Sequence, residues 1–292
     1  MSLRKQDFCV SVAYILGYSL FRNVLLSIQK RPVARFVTFH DVPSVTAEIF
    51  ERKIRFLKQK TNVVTIDDYL AGKLSNAKVN TVITFDDGYE GWINHAVPIL
   101  EKHRLPATFF VSSWHVLNTQ TGQNHRAETL PRGVGISEEM LKTLAKRGFT
   151  IGGHTHSHCN LSKITEPEEL LRELSQNRNF LESMLGGAIR YFAYPFGVYR
   201  NPKFDVPALV RTSGYQAALT LISGFNESEK TDPFLLRREI TGASMSPLAF
   251  KARVYGNYDL VNSLKSVLHR GPKTSALPIQ SCTQTCNTAV NS

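Results

Sequence analysis

Two adjacent aspartates that follow an apolar run are the first candidates for chemistry in this chain. The run, residues 82–85, is β-branched and short, and Asp86, Asp87 and Gly88 follow it directly, which predicts a buried strand ending in two carboxylates. Burying both carboxylates is costly unless something compensates their charge. Since side chains alternate along a strand, one carboxylate could reach a metal ion while the other faces a reacting group. Taken alone, the stretch also fits a strand followed by an ordinary Asp-Gly turn.

A cluster of three histidines follows a second predicted strand. Residues 149–153 lead directly into His154, His156 and His158. On a helical turn, His154 and His158 would share one face because they are four residues apart. Two imidazoles and one carboxylate, with positions left open for water, are typical of a catalytic metal site rather than a structural one.

Three motifs, in this order and spacing, resemble those of the NodB-like polysaccharide deacetylases. They are Thr-Phe-Asp-Asp-Gly-Tyr at residues 84–89, His-Thr-His-Ser-His at residues 154–158, and Phe-Ala-Tyr-Pro-Phe-Gly at residues 192–197. The resemblance covers about residues 33–245, and the third motif is similar to that of the branch acting on exopolysaccharide or glycolipid. It implies a metal-dependent hydrolase that removes an N-acetyl group from a sugar in a polysaccharide or glycolipid.

The resemblance also implies roles for individual residues. Asp87, His154 and His158 would hold one divalent ion, expected to be Zn²⁺, although cobalt or nickel could substitute in such a site. Asp86 would be the general base that removes a proton from the attacking water. The expected substrate-binding residues are Tyr89, Tyr194, Pro195 and Phe196, and a backbone N–H at the Pro195-Phe196 turn would help to hold the oxyanion.

One departure from the family pattern concerns the group that orients the base. Ala193 stands where many members carry an arginine. Arg190 lies three residues away from that position and cannot be assumed to substitute. Arg237 and Arg238, on a later predicted strand, are candidates to approach the base from elsewhere, although ordinary surface charge is the simpler explanation for either one alone.

A second departure concerns the general acid that protonates the leaving amine. The late leucine-x-histidine motif of the family has no counterpart here, since His269 has a different context. Imidazole is the best proton donor near neutral pH, so His40, at the end of the first predicted strand, is the predicted acid and His156 the alternative. His115 and His125, which lie in a polar stretch, are expected to be solvated.

Two other classes of function stay open. A barrel without base orientation or acid could be a non-catalytic glycan-binding module, although such a module would have no use for the costly paired aspartates and histidines. An amidohydrolase for a small cyclic amide would share the family fold. Residues 115–136 bear on this choice, because an open groove would favour a glycan and a closed pocket a small amide.

The candidate residues need a scaffold that gathers the ends of several strands. Strand-like runs alternate with helical patterns about seven times, beginning at residues 33–39, which predicts an α/β fold built as a parallel (β/α) barrel. In such barrels the C-terminal ends of the strands carry the chemistry. The resemblance adds that the barrel is distorted and has seven or eight strands. A capping box at residues 165–168 is expected to open its long helix, which Gly186 would end.

Length and charge are compatible with one catalytic domain and restrict its partners. The chain has 292 residues and a formal net charge of +11, and α/β barrels of this length are commonly single domains. No helix-turn-helix, zinc-finger or aromatic RNA-binding signature accompanies the charge, so nucleic acid is not an expected partner. An anionic membrane surface or an acidic glycan explains the charge equally well.

We predict three parts along the chain. Residues 1–32 form an N-terminal apolar or amphipathic helix, residues 33–270 the catalytic barrel, and residues 271–292 a disordered polar tail. Residues 8–28 show no signal-peptide cleavage site, and Arg22 with Asn23 interrupts a membrane span. An interfacial or barrel-packed helix is therefore favoured. The protein is expected to be membrane-associated, at the bacterial cytoplasmic face, and the absence of a disulfide framework is compatible with a reducing compartment.

Overall fold

The computed structural model describes residues 32–120 and 134–257, together with Gly17 and Asp259. Apart from Gly17 and Pro32, the predicted helix within residues 1–32 lies outside the described residues, as does the predicted tail at 271–292. None of the helices in the described ranges is both long enough and apolar enough to span a membrane.

Strands and helices alternate through the described chain. The strands are β1 (Val33–Phe39), β2 (Asn62–Val63), β3 (Asn80–Phe85), β4 (Thr108–Val111), β5 (Thr150–Gly153), β6 (Tyr191–Ala193), β7 (Ala217–Leu219), β8 (Asn226–Glu227) and β9 (Arg238–Ile240). The helices are α1 (Ala47–Lys60), α2 (Ile66–Leu70), α3 (Val97–His103), α4 (Ser113–Gln120), α5 (Glu138–Lys146), α6 (Pro167–Leu185), α7 (Val206–Thr212) and α8 (Pro247–Val254).

The main strands form one curled, parallel sheet in the order β7, β6, β5, β4, β3, β1, β9. Two short strands extend it, β2 parallel to β3 and β8 antiparallel to β1. Just before β9, the Leu236 N–H donates to the Ala218 carbonyl, and the Leu236 carbonyl accepts from the Thr220 N–H. Because β9 pairs with β1 while Leu236 pairs with β7, the sheet curls into the distorted seven-stranded parallel barrel that was predicted.

Side chains of the strands alternate between two apolar cores. The inner core includes Phe36, Val82, Phe110, Tyr191 and Leu219. The outer core, between sheet and helices, includes Val37, Phe39, Ile83, Phe85 and Phe109. The Phe85 and Phe109 rings stack with centroids 4.6 Å apart, which fixes the ends of β3 and β4 side by side.

Strand register brings the candidate residues to one edge of the barrel. Phe39 is paired with Phe85, so His40 and Asp86 both follow the same rung of the ladder. Two strands further on, Val111 is paired with Gly153, the residue before the histidine cluster. All these positions lie at the C-terminal ends of parallel strands, where barrels of this kind carry their active sites.

The helix termini agree with the sequence in one case and differ in another. Ser137 accepts a hydrogen bond from the Met140 N–H at the start of α5, as its type and position predict. The capping box predicted at residues 165–168 is wrong, because Glu166 is the N-cap residue and makes no side-chain cap bond. Pro167 instead begins α6 with a φ angle already suited to a helix, and Gly186 ends it in the left-handed conformation.

Part of the polar stretch at residues 115–136 is ordered against the site. Its first residues belong to α4 rather than to an irregular loop. Its last residues pair with the segment after β3, since the Ile136 N–H donates to Gly88 and the Glu90 N–H donates to Val134. Residues 121–133 lie outside the described part of the chain, so the expected choice between an open groove and a closed pocket stays untested.

Candidate metal and active site

His154 and His158 follow β5 in an irregular segment rather than in the helical turn expected. Thr155 and His158 have φ angles of 62° and 57°, in a left-handed region that is strained for a β-branched residue such as threonine. This backbone course brings both imidazoles to Asp87. The Nε2 atoms of His154 and His158 lie 3.3 Å and 3.1 Å from Asp87 Oδ1.

These three buried side chains suit a divalent cation. One ligand atom from each lies within 4.8 Å of the others. His154 Nδ1–H donates to the Ala193 carbonyl at 2.7 Å, which orients the ring so that Nε2 faces Asp87.

The protonation of the cluster also suits a cation. Burial lowers the pKa of His158. Burial alone would raise the pKa of Asp87, but hydrogen bonds with His154 and His158 hold that pKa well below its usual value. A neutral imidazole beside an ionised carboxylate is the state that metal binding requires.

A third histidine forms a hydrogen bond with the backbone of Asp87. His115, expected to be solvated, is instead only 1% exposed, and its Nδ1–H donates to the Asp87 carbonyl at 2.8 Å. Burial lowers the pKa of His115 to about 4, so its ring is neutral near pH 7. In the sequence, His115 follows closely on the apolar run that forms β4. That position near a strand end could have indicated a place at the site. His125 lies outside the described residues.

Asp86 faces a buried arginine. Arg238 Nη1 donates to Asp86 Oδ1 at 2.6 Å, and both side chains are nearly inaccessible to water. Further bonds to the Thr220 carbonyl and to the hydroxyls of Thr38 and Thr84 fix the guanidinium. Although burial raises the pKa of Asp86, the charge of Arg238 and its hydrogen bond to the carboxylate lower that pKa. The geometry therefore holds Asp86 as an ionised, oriented carboxylate.

Of the arginines considered from sequence, only Arg238 contacts Asp86 among the described residues. Arg237 is exposed, and Arg190 instead makes a two-point ion pair with Asp67 beside α2. Ala193 faces the inner core of the barrel. Of these candidates, Arg238 on β9 is therefore the one placed to orient Asp86.

The two candidate acids lie in different places. His40 Nε2 is 4.0 Å from Asp87 Oδ2, and the His40 side chain is 38% exposed. It therefore lies at the opening of the site. The His156 ring turns away from Asp87, and its Nδ1 shares a hydrogen bond of 2.8 Å with Ser113 Oγ.

Of the four expected substrate-binding residues, one is exposed beside the cluster and three are buried. Phe196 is 55% exposed, and its ring centroid lies 4.6 Å from that of His158. Tyr89 is buried, and burial together with the Asp87 carboxylate, to which it hydrogen-bonds, raises its pKa.

The other two expected contacts are buried. Tyr194 does not face the site, because alternation along β6 turns it into the outer core, where its hydroxyl donates to the Phe234 carbonyl. Pro195 is also buried, so only the backbone of that turn and the Phe196 ring remain available to a ligand.

Comparison with known proteins identifies a family that this chain matches. The family model described as polysaccharide deacetylase matches residues 73–218. The poly-β-1,6-N-acetyl-D-glucosamine N-deacetylase of Staphylococcus aureus (strain MRSA252) is 28% identical over 174 residues, which cover 56% of this chain and 57% of that protein. The match thus spans little more than half the length of that curated relative.

Solved structures show the same fold. The Streptococcus pyogenes deacetylase PplD in complex with acetate has a TM-score of 0.62 at 20% identity, covering 77% of this chain and 99% of that one. IcaB from Ammonifex degensii has a TM-score of 0.62 at 24% identity, covering 78% and 97%. At these identities the likeness concerns the fold alone.

Proposed function

Because the chain belongs to the polysaccharide deacetylase family, we propose that it is a metal-dependent hydrolase that removes N-acetyl groups from an N-acetylated glucosamine polymer. The observation that carries this proposal is the pairing of Asp86 with Arg238 directly beside the cluster of Asp87, His154 and His158. An oriented base next to a ligand set with open positions is what amide hydrolysis needs. The staphylococcal relative, named as acting on such a polymer, supports this substrate over a glycolipid.

The metal would be held by Asp87, His154 and His158, and we propose Zn²⁺ because two of the three ligands are imidazoles. A divalent ion there would supply Lewis-acid polarisation of the amide carbonyl. The Asp86 carboxylate accepts the proton of the attacking water, and Arg238 keeps this carboxylate ionised and oriented.

The departing amine needs a proton when the carbon–nitrogen bond breaks. His40 is the proposed donor, since it lies at the open side of the cluster and can exchange its proton with solvent. Acetate and a free amine on the sugar are the products. The exposed Phe196 ring offers an apolar face for a sugar ring beside the cluster.

The test compares substrate classes on the full chain loaded with Zn²⁺. Acetate and free amine are measured with N-acetylated β-1,6-glucosamine oligomers, an N-acetylated glycolipid and a small cyclic amide. We expect release from the oligomers, abolished by a chelator and restored by metal. Asp86→Asn is the matched control, which should keep the metal and lose activity by about 10²–10⁴-fold. Release from the cyclic amide alone would identify an amidohydrolase, and binding of oligomers without release would identify a glycan-binding barrel.

We also propose that residues 8–28, of which the structure describes Gly17, associate the protein with an anionic membrane surface at the bacterial cytoplasmic face. The apolar run followed by Lys30 and Arg31 supports this. Arg35, a third basic residue after the run, is buried and pairs with Glu239, so it does not contribute to such a surface. Deletion of residues 1–30 should move the protein from vesicles to the soluble fraction with the barrel intact. A full-length protein that does not bind anionic vesicles would contradict the proposal.

A further inference from the structure

The histidine segment keeps an unfavourable backbone conformation, and something in the fold must hold it. Thr155 and His158 are both left-handed, and such residues persist only where the surrounding structure fixes them. Neither is glycine, so the chain itself does not favour this course. The approach of the two Nε2 atoms to Asp87 depends on this backbone conformation. The left-handed residues Thr155 and His158 direct both rings toward one oxygen of that carboxylate.

One face of α6 holds that segment. The Glu173 carboxylate accepts two hydrogen bonds from Ser157, one from its N–H and one from its hydroxyl, both at 2.8 Å. The Glu173 carbonyl accepts the His156 N–H at 3.1 Å. Asn177, one turn further along the same face, accepts the His154 N–H at 3.1 Å through its side-chain oxygen.

Asn177 also connects the segment to the barrel. Its side-chain N–H donates to the Val111 carbonyl at the end of β4 at 3.0 Å, and the residue is fully buried. The backbone N–H groups of His154, His156 and Ser157 are therefore satisfied by two side chains and one carbonyl of a single helix.

We propose that Glu173, assisted by Asn177, is a positioning residue that sets the geometry of the metal ligands before metal binds. Glu173 does not face the cluster; it acts through the Ser157 backbone, immediately before His158. Preorganised ligands bind a cation more tightly because the ordering of the segment is already done in the metal-free protein. The proposal rests on the proposed metal site, but it concerns affinity rather than turnover.

The test measures metal affinity in the full chain, by competition with a chromophoric chelator for Zn²⁺ and from the visible spectrum of bound Co²⁺. Glu173→Ala should raise the Kd by about 10–100-fold, as loss of groups that orient metal ligands typically does. Glu173→Gln, which can still accept the Ser157 N–H and donate to its hydroxyl, should restore most of the affinity. Glu169→Ala, at an exposed position one turn earlier on α6, is the control and should leave the Kd unchanged.

Thermal unfolding of the metal-free variants separates positioning from plain stability. If Glu173→Ala lowers the Tm but leaves the Kd within about threefold of wild type, well short of the expected loss, the carboxylate only stabilises the fold and the proposal is wrong. Should Glu173→Ala fail to fold, Ser157→Ala decides: an increased Kd supports the proposal, and an unchanged one contradicts it. A wild-type chain that binds neither ion would instead refute the metal site.

Discussion

Replacement of Arg238 by methionine tests the claim that a distant arginine keeps Asp86 ionised. Arg238→Met preserves apolar volume but leaves the buried carboxylate without its cation. Removing one member of a buried ion pair costs about 3–5 kcal/mol. Because the charge of Arg238 is the largest influence that lowers the pKa of Asp86, the pKa of that carboxyl should rise in the variant.

The sign of the effect follows from the two opposing causes. In the wild type, burial raises the pKa of Asp86, and Arg238 brings it below its ordinary value of 3.8. A base works when ionised, so the wild-type rate should fall only below about pH 4 on account of this group. Without the arginine, burial dominates and the acid limb of kcat/KM should move to higher pH. Activity at pH 5.5 should therefore fall far more than activity at pH 9.

The assay is amine release from a β-1,6-N-acetylglucosamine oligomer between pH 4 and pH 9 at saturating Zn²⁺. Arg237→Met is the matched control, because that neighbouring side chain is exposed and its loss should leave the profile unchanged. A uniform loss of rate at every pH in Arg238→Met, with the acid limb in its wild-type position, would refute the reasoning. It would show that Arg238 acts on packing and not on the ionisation of Asp86.

Three further outcomes are expected. The double variant His154→Ala/His158→Ala should lose stoichiometric metal, measured by elemental analysis after gel filtration, and undiminished zinc would contradict the ligand assignment. His40→Gln should leave metal content unchanged, cut turnover about 10²-fold and remove the alkaline limb of the pH–rate profile; a limb with an unchanged midpoint would exclude His40 as the acid. Burial lowers the pKa of Lys53 to about 7, whereas in the unfolded chain it is about 10.4. The unfolded chain thus binds more protons between these values, so the unfolding free energy of the wild type should rise with pH across this window. This pKa difference corresponds to a rise of about 5 kcal/mol. That figure is an upper bound, because two carbonyls accept from the ammonium and favour its charged form. Lys53→Met should flatten that rise in urea titrations at pH 6.5 and 9.5, and an equal slope in both proteins would show that Lys53 does not titrate there.

The sequence alone determined the fold class and the strand ends that matter. Strand and helix periodicities are local, and β1 spans the predicted residues 33–39. The pair at Asp86 and Asp87 and the histidine cluster were visible because each is contiguous in the chain. The parallel barrel then follows from alternation of strand and helix, and it places the ends of its strands at one edge for any sequence with this order.

Only the tertiary structure decided which side chains meet at that edge. Arg238 reaches Asp86 across 152 positions of sequence, and nothing local separates it from the exposed Arg237 except the alternation of β9 once its register with β1 is known. In the same way, the alternation of side chains along β6 places Tyr194 in the outer core rather than at the site.

The histidine segment shows the same limit at the level of the backbone. A spacing of four predicts a shared helical face, yet the two rings converge through left-handed residues held by α6. Residue types indicate the chemistry of a site because only certain side chains can perform it. Their geometry depends on long-range hydrogen bonds, burial and strand register, which exist only after the chain has folded.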